Sequence, residues 1–259
     1  MAEITEKTIT SINEYVSFIE DLPSEFSLSR GQSKDYKLYP GVFRKDKEGK
    51  ELYSDKDKRR FIDSFKIYAA QYLHDIDIKN DAEWLVLAQH FGVNTCLLDF
   101  TYSPLLALLF AVEDAFAFNA DSEDGNQNYA VVWFLNPYEL NYEAFNDRTI
   151  INLSNCNFET YQKVKMPFAC TANRNNRRIA AQNGLFVYFN DMRYSLESLD
   201  ISSKVLKKVV VPYEYTKGLL CSLYRLGLRF NSVYPELTSI SKDIKLEYDV
   251  KEYINNIKE

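Results

Sequence analysis

Residues 87–114 read LAQHFGVNTCLLDFTYSPLLALLFAVED and contain two predicted helices separated by a short apolar segment. The first helix begins upstream of this stretch, where Asp81 is predicted to be its N-cap. In the second helix, Ser103 is the predicted N-cap and Pro104 occupies the first helical position. This helix, residues 104–115, is apolar nearly all round its first half and is therefore predicted to be the most buried helix. The side chains expected to be inaccessible are Leu105, Leu106, Leu108, Leu109, Phe110 and Val112.

Hydrophobic periodicity elsewhere predicts a mixture of helices and strands. An amphipathic helix over residues 55–73 carries an aromatic face that we expect to belong to the core. That face contains Phe61, Phe65, Tyr68, Ala69 and Tyr72. The other predicted elements are strands at 26–30, 129–135, 184–189 and 207–213, and helices at 11–22, 215–227 and 236–247. Because strands do not alternate regularly with helices, the order favours an α+β fold. We expect a single domain over residues 1–259, with a mixed central sheet flanked by helices.

The composition is that of a globular chain and narrows the classes of partner. Hydrophobic residues make up 46% and charged residues 26% of the sequence, which is enough apolar material for a core. The formal net charge of −6 disfavours generic binding to nucleic acid or anionic membranes, because such binding depends on Lys and Arg. A local basic groove remains compatible with this charge.

Cysteine usage and the N-terminal sequence bear on metal binding and location. The four cysteines form no CxxC pair and there are two histidines, so zinc ligands at workable spacing are lacking and no metal site is expected. No apolar run reaches the length of a membrane span. Residues 1–20 carry five charged side chains and no hydrophobic core of a signal peptide, which favours a location in the reducing cytoplasm.

Three polar residues stand where their chemistry requires an explanation. Arg30 precedes Gly31 at a predicted strand end, where its guanidinium could hold a diphosphate or a carboxylate, or could pair with Asp99 or a carbonyl. His90 lies in the last turn of its helix, where the dipole favours imidazolium, and either contacts a substrate or caps the helix. Asp99 lies between apolar neighbours and must be paired or favour its neutral form, as a site residue or as a buried partner.

Two further candidates lie between residues 173 and 183. Gln182 could orient a ligand amide or make a strand-edge hydrogen bond. Arg174, Arg177 and Arg178 could meet the phosphates of NAD or RNA, or could belong to a solvated loop.

Four segments of the sequence resemble the FRG domain family, which is named for its Phe-Arg-Gly motif. They are residues 29–32 followed by Leu38-Tyr39-Pro40 and Arg44, residues 87–114, residues 177–186, and residues 223–244. Their order and spacing extend the resemblance over about residues 10–245. The chain departs from the family pattern at Ser29, which replaces an aromatic residue, at Cys96, which replaces Arg, and at Leu109, which replaces a common Tyr.

The pattern is also similar, by a more distant analogy, to ADP-ribosyltransferases. This resemblance implies that Arg30, Gly31, Gln32, His90 and Phe110 bind NAD as a substrate, without a metal. A Glu near the fifth strand of that fold holds the ribose, and Gln182 lies roughly at its place. Because glutamine supplies no negative charge, Asp99 or Glu113 could provide the catalytic carboxylate instead.

The resemblance implies an NAD-dependent mono-ADP-ribosyltransferase that modifies a nucleic acid or a protein, of the kind found among bacterial toxins and phage-defence effectors. The alternative is a non-catalytic module that binds a nucleotide, RNA or a partner. A nuclease is the weaker third hypothesis, because no metal-binding carboxylate set is apparent. The polar candidates are expected to converge on one cleft, where Arg30, Gly31, His90, Asp99 and Gln182 would meet.

Overall fold

The computed structural model describes residues 3–73, 78, 80–117, 129–172, 184–190 and 194–258. Within these residues, eight strands form one sheet in the order β1-β8-β4-β2-β3-β7-β6-β5. The strands are β1 Thr5–Thr8, β2 Leu28–Gln32, β3 Leu97–Thr101, β4 Tyr129–Leu135, β5 Ile151–Asn152, β6 Phe168–Thr171, β7 Gly184–Tyr188 and β8 Leu206–Pro212. The pairs β1–β8 and β5–β6 are parallel, and the others are antiparallel.

The α-helices of the described chain lie between and around these strands. They are α1 Ile12–Asp21, α2 Asp55–Ala69, α3 Asp81–His90, α4 Pro104–Val112, α5 Pro137–Phe145, α6 Phe158–Tyr161, α7 Ser202–Val205, α8 Tyr213–Arg225, α9 Phe230–Val233 and α10 Leu237–Lys258. Short 3-10 helices cover Gly41–Phe43, Ala70–Tyr72 and Leu196–Ser198. The predicted α+β class with a mixed sheet is therefore confirmed. None of the described helices combines the length and the apolar character needed to cross a membrane.

The sheet separates three hydrophobic clusters. Val132 and Phe134 of β4 face a cluster built with α1, α4, α8 and α10, whereas Val131 and Trp133 face the opposite side. On β7, Leu185 and Val187 join that opposite cluster, while the alternate residues pack in a third cluster with α3. Because side chains alternate along a strand, α3 and α4 lie over the same face of the sheet.

Helix α4 is the central element of the first cluster. Ser103 accepts a hydrogen bond from the backbone N–H of Leu106, as expected for an N-cap, and Tyr15 donates to the Pro104 carbonyl at 2.7 Å. Of the side chains predicted to be inaccessible, Leu108, Leu109 and Val112 are buried, and Leu105, Leu106 and Phe110 are only partly buried against the same cluster. The helix therefore keeps one partly open side.

Gly31 explains how α4 can lie directly on β2. A Cβ at this position would overlap the carbonyl oxygen of Ala107 and stand 2.8 Å from the backbone nitrogen of Ala111. Gly31 lies inside β2 rather than in a turn, where its missing side chain lets the helix backbone approach the strand.

The aromatic core face predicted for a helix at residues 55–73, which the structure divides into α2 and the 3-10 helix Ala70–Tyr72, is wrong in its second half. Tyr68 and Tyr72 are 71% and 78% exposed, and no residue of α2 is buried. Phe61 packs against the cluster on the sheet, whereas Phe65 lies edge-on to Trp84 of α3 at 6.3 Å. A helix that rests on another surface helix buries a narrower stripe than its sequence pattern offers.

The strand β3 was not predicted from sequence. In its sequence, LLDFT, two leucines are adjacent, so apolar and polar residues do not alternate with a period of two. Three other strands, β4, β7 and β8, were located within one residue of their observed ends.

Candidate functional site

The ladder between β2 and β3 contains one residue pair, Ser29 opposite Thr101. Beyond this pair the two strands diverge, and we call the opening the β2–β3 gap. A pocket of about 410 Å³ lies at the gap, between α3 and α4, and β7 forms part of its floor with Gly184 and Phe186. This volume is within the range of small-molecule sites.

The pocket brings together most of the residues predicted to form the site. Its lining includes Arg30, Gly31, Gln32, His90, Asp99, Phe110 and Glu113. Gln182 and the cluster of Arg174, Arg177 and Arg178 lie outside the described residues. The convergence is a finding of the structure, whereas the roles assigned to these residues remain predictions.

Arg30 projects into the β2–β3 gap. Its Nη1 donates a hydrogen bond to the backbone carbonyl of Asp99 at 2.8 Å, and its buried Nε has no partner among the described residues. Burial lowers the pKa of Arg30; the charge of Asp99 opposes this shift and the charge of Arg44 adds to it. Of the structural alternatives, the contact is therefore with a carbonyl and not with the Asp99 carboxylate.

The Asp99 side chain is exposed, which corrects the expectation of a buried acid. Leu98 and Phe100 point into the core on one face of β3, so the intervening carboxylate points to the other face. There its Oδ2 accepts a hydrogen bond of 2.7 Å from the side-chain amide of Gln89. The apolar neighbours in sequence are thus on the opposite side of the strand.

The other end of the pocket is formed by the end of α4. Glu113 follows the last residue of this helix, and its Oε2 lies 4.0 Å from Nζ of Lys242 on α10. Phe110 packs against Tyr234 with ring centroids 5.9 Å apart, and both rings line the pocket. A second carboxylate and an aromatic wall therefore face the same cavity as Arg30. The family position at which Tyr is common, here Leu109, is 2% exposed and lies in the core.

Several lining residues were missed by sequence reasoning. They include Tyr36, which lies outside the quoted motifs, and Arg44, Gln89, Phe186 and Tyr234, which lie within them but were given no role. Helical spacing contained a signal for Gln89, because positions three and four apart share a face and Val86, Gln89 and His90 have that spacing. Tyr36 and Tyr234 carried no comparable signal, because loops and helix junctions have no period.

The fold and the pocket define an α+β protein with a ligand-sized cavity at an opening in its sheet, lined by both charged and apolar side chains. Residues 27–120 match the family model of the FRG domain, which supports the resemblance at the first two of the four motifs; the other two lie beyond the matched residues. The match runs from the residue before β2 to just beyond α4 and so includes Arg30, Gln89, Asp99 and Glu113. No curated protein and no solved structure matches the chain.

Proposed function

We propose that the pocket binds NAD⁺ and that the protein is a mono-ADP-ribosyltransferase with a nucleic acid or a protein as acceptor. The observation that carries the proposal is the placement of opposite charges around one cavity. Arg30 and Arg44 reach it from the face of the sheet that carries Trp133, whereas Asp99 and Glu113 reach it from the helical face.

This distribution suits a ligand that carries charges of both signs. NAD⁺ has an anionic diphosphate and a cationic nicotinamide ring, and guanidinium groups bind phosphate oxygens through several fixed donors. Phe110, Phe186 and Tyr234 add apolar ring surface to the same cavity, as is common for sites that hold flat heterocycles. The two arginines would hold the diphosphate, and the carboxylates would face the nicotinamide riboside.

The reaction breaks the bond between ribose C1′ and the nicotinamide nitrogen. The nitrogen takes the electron pair and leaves as neutral nicotinamide, and positive charge develops on the ribose. A carboxylate near the ribose stabilises this charge, as in glycoside chemistry. The acceptor then forms the new bond to C1′ and gives up its proton to a carboxylate or to water. In a cell, this chemistry would suit a toxin or a phage-defence effector.

The test is incubation of the purified protein with NAD⁺, with nicotinamide release followed by chromatography and NAD⁺ affinity measured by calorimetry. Labelled NAD⁺ is then added with cell lysate, RNA or DNA to see which fraction retains the label. Binding without nicotinamide release would support the alternative of a non-catalytic nucleotide-binding module. Absence of both would remove NAD⁺ as the ligand.

A further inference from the structure

We infer that Asp99, rather than Glu113, is the carboxylate that faces the reacting ribose, and that Gln89 and Thr95 are positioning residues that hold it. This inference rests on the proposed function for the identity of the ligand. The chain of hydrogen bonds that ends at Asp99 does not depend on that identity.

The chain of hydrogen bonds begins at a buried residue in the turn between α3 and β3. Thr95 is 2% exposed, and its Oγ1 accepts a hydrogen bond from the backbone N–H of Leu97 at 3.1 Å. The same hydroxyl donates its one proton to Oε1 of Gln89 at 2.6 Å. Because Oε1 is occupied by this donor, the amide can present only its Nε2 to Asp99.

The orientation of the Gln89 amide determines how Asp99 is held. Nε2 donates to Asp99 Oδ2 at 2.7 Å, a short bond of the kind formed with an ionised carboxylate. Asp99 is exposed, and Oδ1 has no hydrogen bond to any described residue. One oxygen is therefore fixed and the other is left for the ligand in the cavity.

Glu113 is held differently. Its Oε2 lies 4.0 Å from Nζ of Lys242, and the same Nζ lies 5.8 Å from the centroid of the Tyr234 ring. A cation at this distance neutralises part of the negative charge that the reacting ribose would need. Among the described residues no cation forms an ion pair with the Asp99 carboxylate. Arg30 hydrogen-bonds to the Asp99 carbonyl, and its charge acts on the carboxylate only from beyond ion-pair distance.

Thr95 provides the sharpest test, because it does not line the pocket and its substitution leaves the pocket wall unchanged in composition. Thr95→Val keeps the shape of the side chain and removes the hydroxyl, so Gln89 loses the partner that fixes its amide. We expect turnover of NAD⁺ to fall by about tenfold, as for one lost hydrogen bond to a charged group, while the Kd for NAD⁺ stays within about twofold. Thr95→Ser restores the hydroxyl and should restore turnover.

Thr216→Val is the matched control for lost stability. Thr216 is 4% exposed and its hydroxyl donates at 2.7 Å to the Tyr213 carbonyl, in a helix away from the pocket. If both valine variants melt alike but only Thr95→Val loses turnover, the loss is not a general effect of an unfolded fraction. Unchanged turnover in Thr95→Val, or a raised Kd with unchanged turnover, would overturn the inference.

A second measurement does not depend on NAD⁺. The two N–H protons of the Gln89 side-chain amide should give separate NMR signals, which are assigned by their absence from the spectrum of Gln89→Leu. In Thr95→Val these two signals should move towards the positions of a side-chain amide without hydrogen bonds. If the wild-type protein neither binds nor cleaves NAD⁺, the proposed function falls and these signals alone decide whether Thr95 orients Gln89. Signals that do not change in Thr95→Val would overturn the positioning chain whatever the activity.

Discussion

Arg30 and Gly31 are neighbours in one motif and have separate tasks in the structure. The backbone of α4 fills the space next to Gly31 where a side chain would lie, whereas the side chain of Arg30 extends into the β2–β3 gap on the other side of the strand. The motif thus joins a packing requirement to a charged group at the pocket. Substitutions at the two positions should damage different properties of the protein.

Arg30→Ala should weaken ligand binding more than it weakens the fold. The substitution removes one hydrogen bond to a backbone carbonyl and leaves no buried carboxylate without a partner, so the free energy of unfolding should fall by about 1 kcal/mol. If Arg30 holds the diphosphate, NAD⁺ binding should weaken by roughly 2–5 kcal/mol. Calorimetry and melting curves measure both quantities.

Arg148→Ala is the control for Arg30→Ala, because Arg148 is an exposed arginine bonded to Glu139 and absent from the pocket lining. It should leave both quantities nearly unchanged. A large loss of stability in Arg30→Ala, or unchanged NAD⁺ affinity, would contradict the functional interpretation of Arg30.

Gly31→Ala should destabilise the protein severely. The added Cβ would overlap the Ala107 carbonyl, so β2 and α4 must separate, and overpacking of this kind costs about 1–3 kcal/mol or more. Gly218→Ala in α8 is the matched control, since its Cβ would meet only the Tyr253 hydroxyl, at 3.6 Å. Alanine is the better helix former by about 1 kcal/mol, so this variant should be neutral or stabilised. Equal urea midpoints for the two variants would refute the close approach.

At the scale of elements, an ion pair on β8 fixes the segment that follows β2. Lys208 is largely buried, and its Nζ lies 2.7 Å from Asp35 Oδ2 and 3.2 Å from Glu6 Oε2. Asp35 stands between Ser33 and Tyr36, which both line the pocket. Because β8, β4 and β2 are neighbours in the sheet, Lys208 connects β8 to the segment after β2, which forms a wall of the pocket on the other side of β4.

Lys208→Ala should therefore cost about 3 kcal/mol of unfolding free energy, because it leaves Asp35 without its closest cation in a partly buried site. Lys207→Ala is the control on the same strand. Lys207 points to the other face and donates to the Thr5 hydroxyl at 2.8 Å, so its loss should cost no more than about 1 kcal/mol. Urea unfolding at neutral pH compares the two, and equal losses would show that the ion pair does not fix this segment.

Burial of Lys208 opposes its charged form, but the hydrogen bonds and charges of Asp35 and Glu6 outweigh burial and raise its pKa. A raised pKa in the folded state means that the ion pair contributes fully below the unfolded-state pKa and is lost only as pH rises through the folded-state value. The difference between the two lysine variants should therefore persist throughout the neutral range.

For the whole molecule, buried tyrosine and cysteine side chains that stay protonated in the folded state predict a loss of stability at alkaline pH. Burial raises the pKa of Tyr15 well above its ordinary value of 10.0, and raises the pKa of Cys96 from 9.0 to about 12. Burial also raises the pKa of Cys170 above its ordinary value. In the unfolded chain these groups release their protons at lower pH. Their contribution to the free energy of unfolding is therefore complete below about pH 9 and is lost as pH rises towards their folded-state pKa values.

Urea unfolding at about pH 7.5, 9 and 10.5 should show a constant free energy up to about pH 9 and a decline above it. Tyr15→Phe removes one contributor and also the bond to the Pro104 carbonyl, so it should be less stable at neutral pH by about 1 kcal/mol. Its alkaline decline should be shallower than that of the wild type. A parallel decline would show that Tyr15 does not titrate on unfolding.

Much of the architecture followed from local sequence. The cap at Ser103, the apolar helix after it and the β-branched and aromatic strands at β4 and β8 were predicted, because caps and hydrophobic runs act over a few residues. The predicted cap at Asp81 was wrong by one residue, since Asn80 accepts the hydrogen bond from the backbone N–H of Glu83. The short strand β3 and the exposed half of α2 could not be predicted in the same way. Whether an apolar face is buried depends on what packs against it, and that is not a property of the segment.

The sequence by itself determined the α+β class, the motifs that resemble the FRG domain and the identity of most polar residues in the pocket. Only the tertiary structure decided their relations: that Asp99 points away from its apolar neighbours, that Gly31 makes room for α4, and that Gln89 connects Thr95 to Asp99. The physical reason is that local propensity acts between residues close in sequence, whereas the register between β2 and β3 and the contact of α4 with β2 are set by long-range packing. The β2–β3 gap exists because the two strands pair once and then diverge, and no pattern within either strand specifies that.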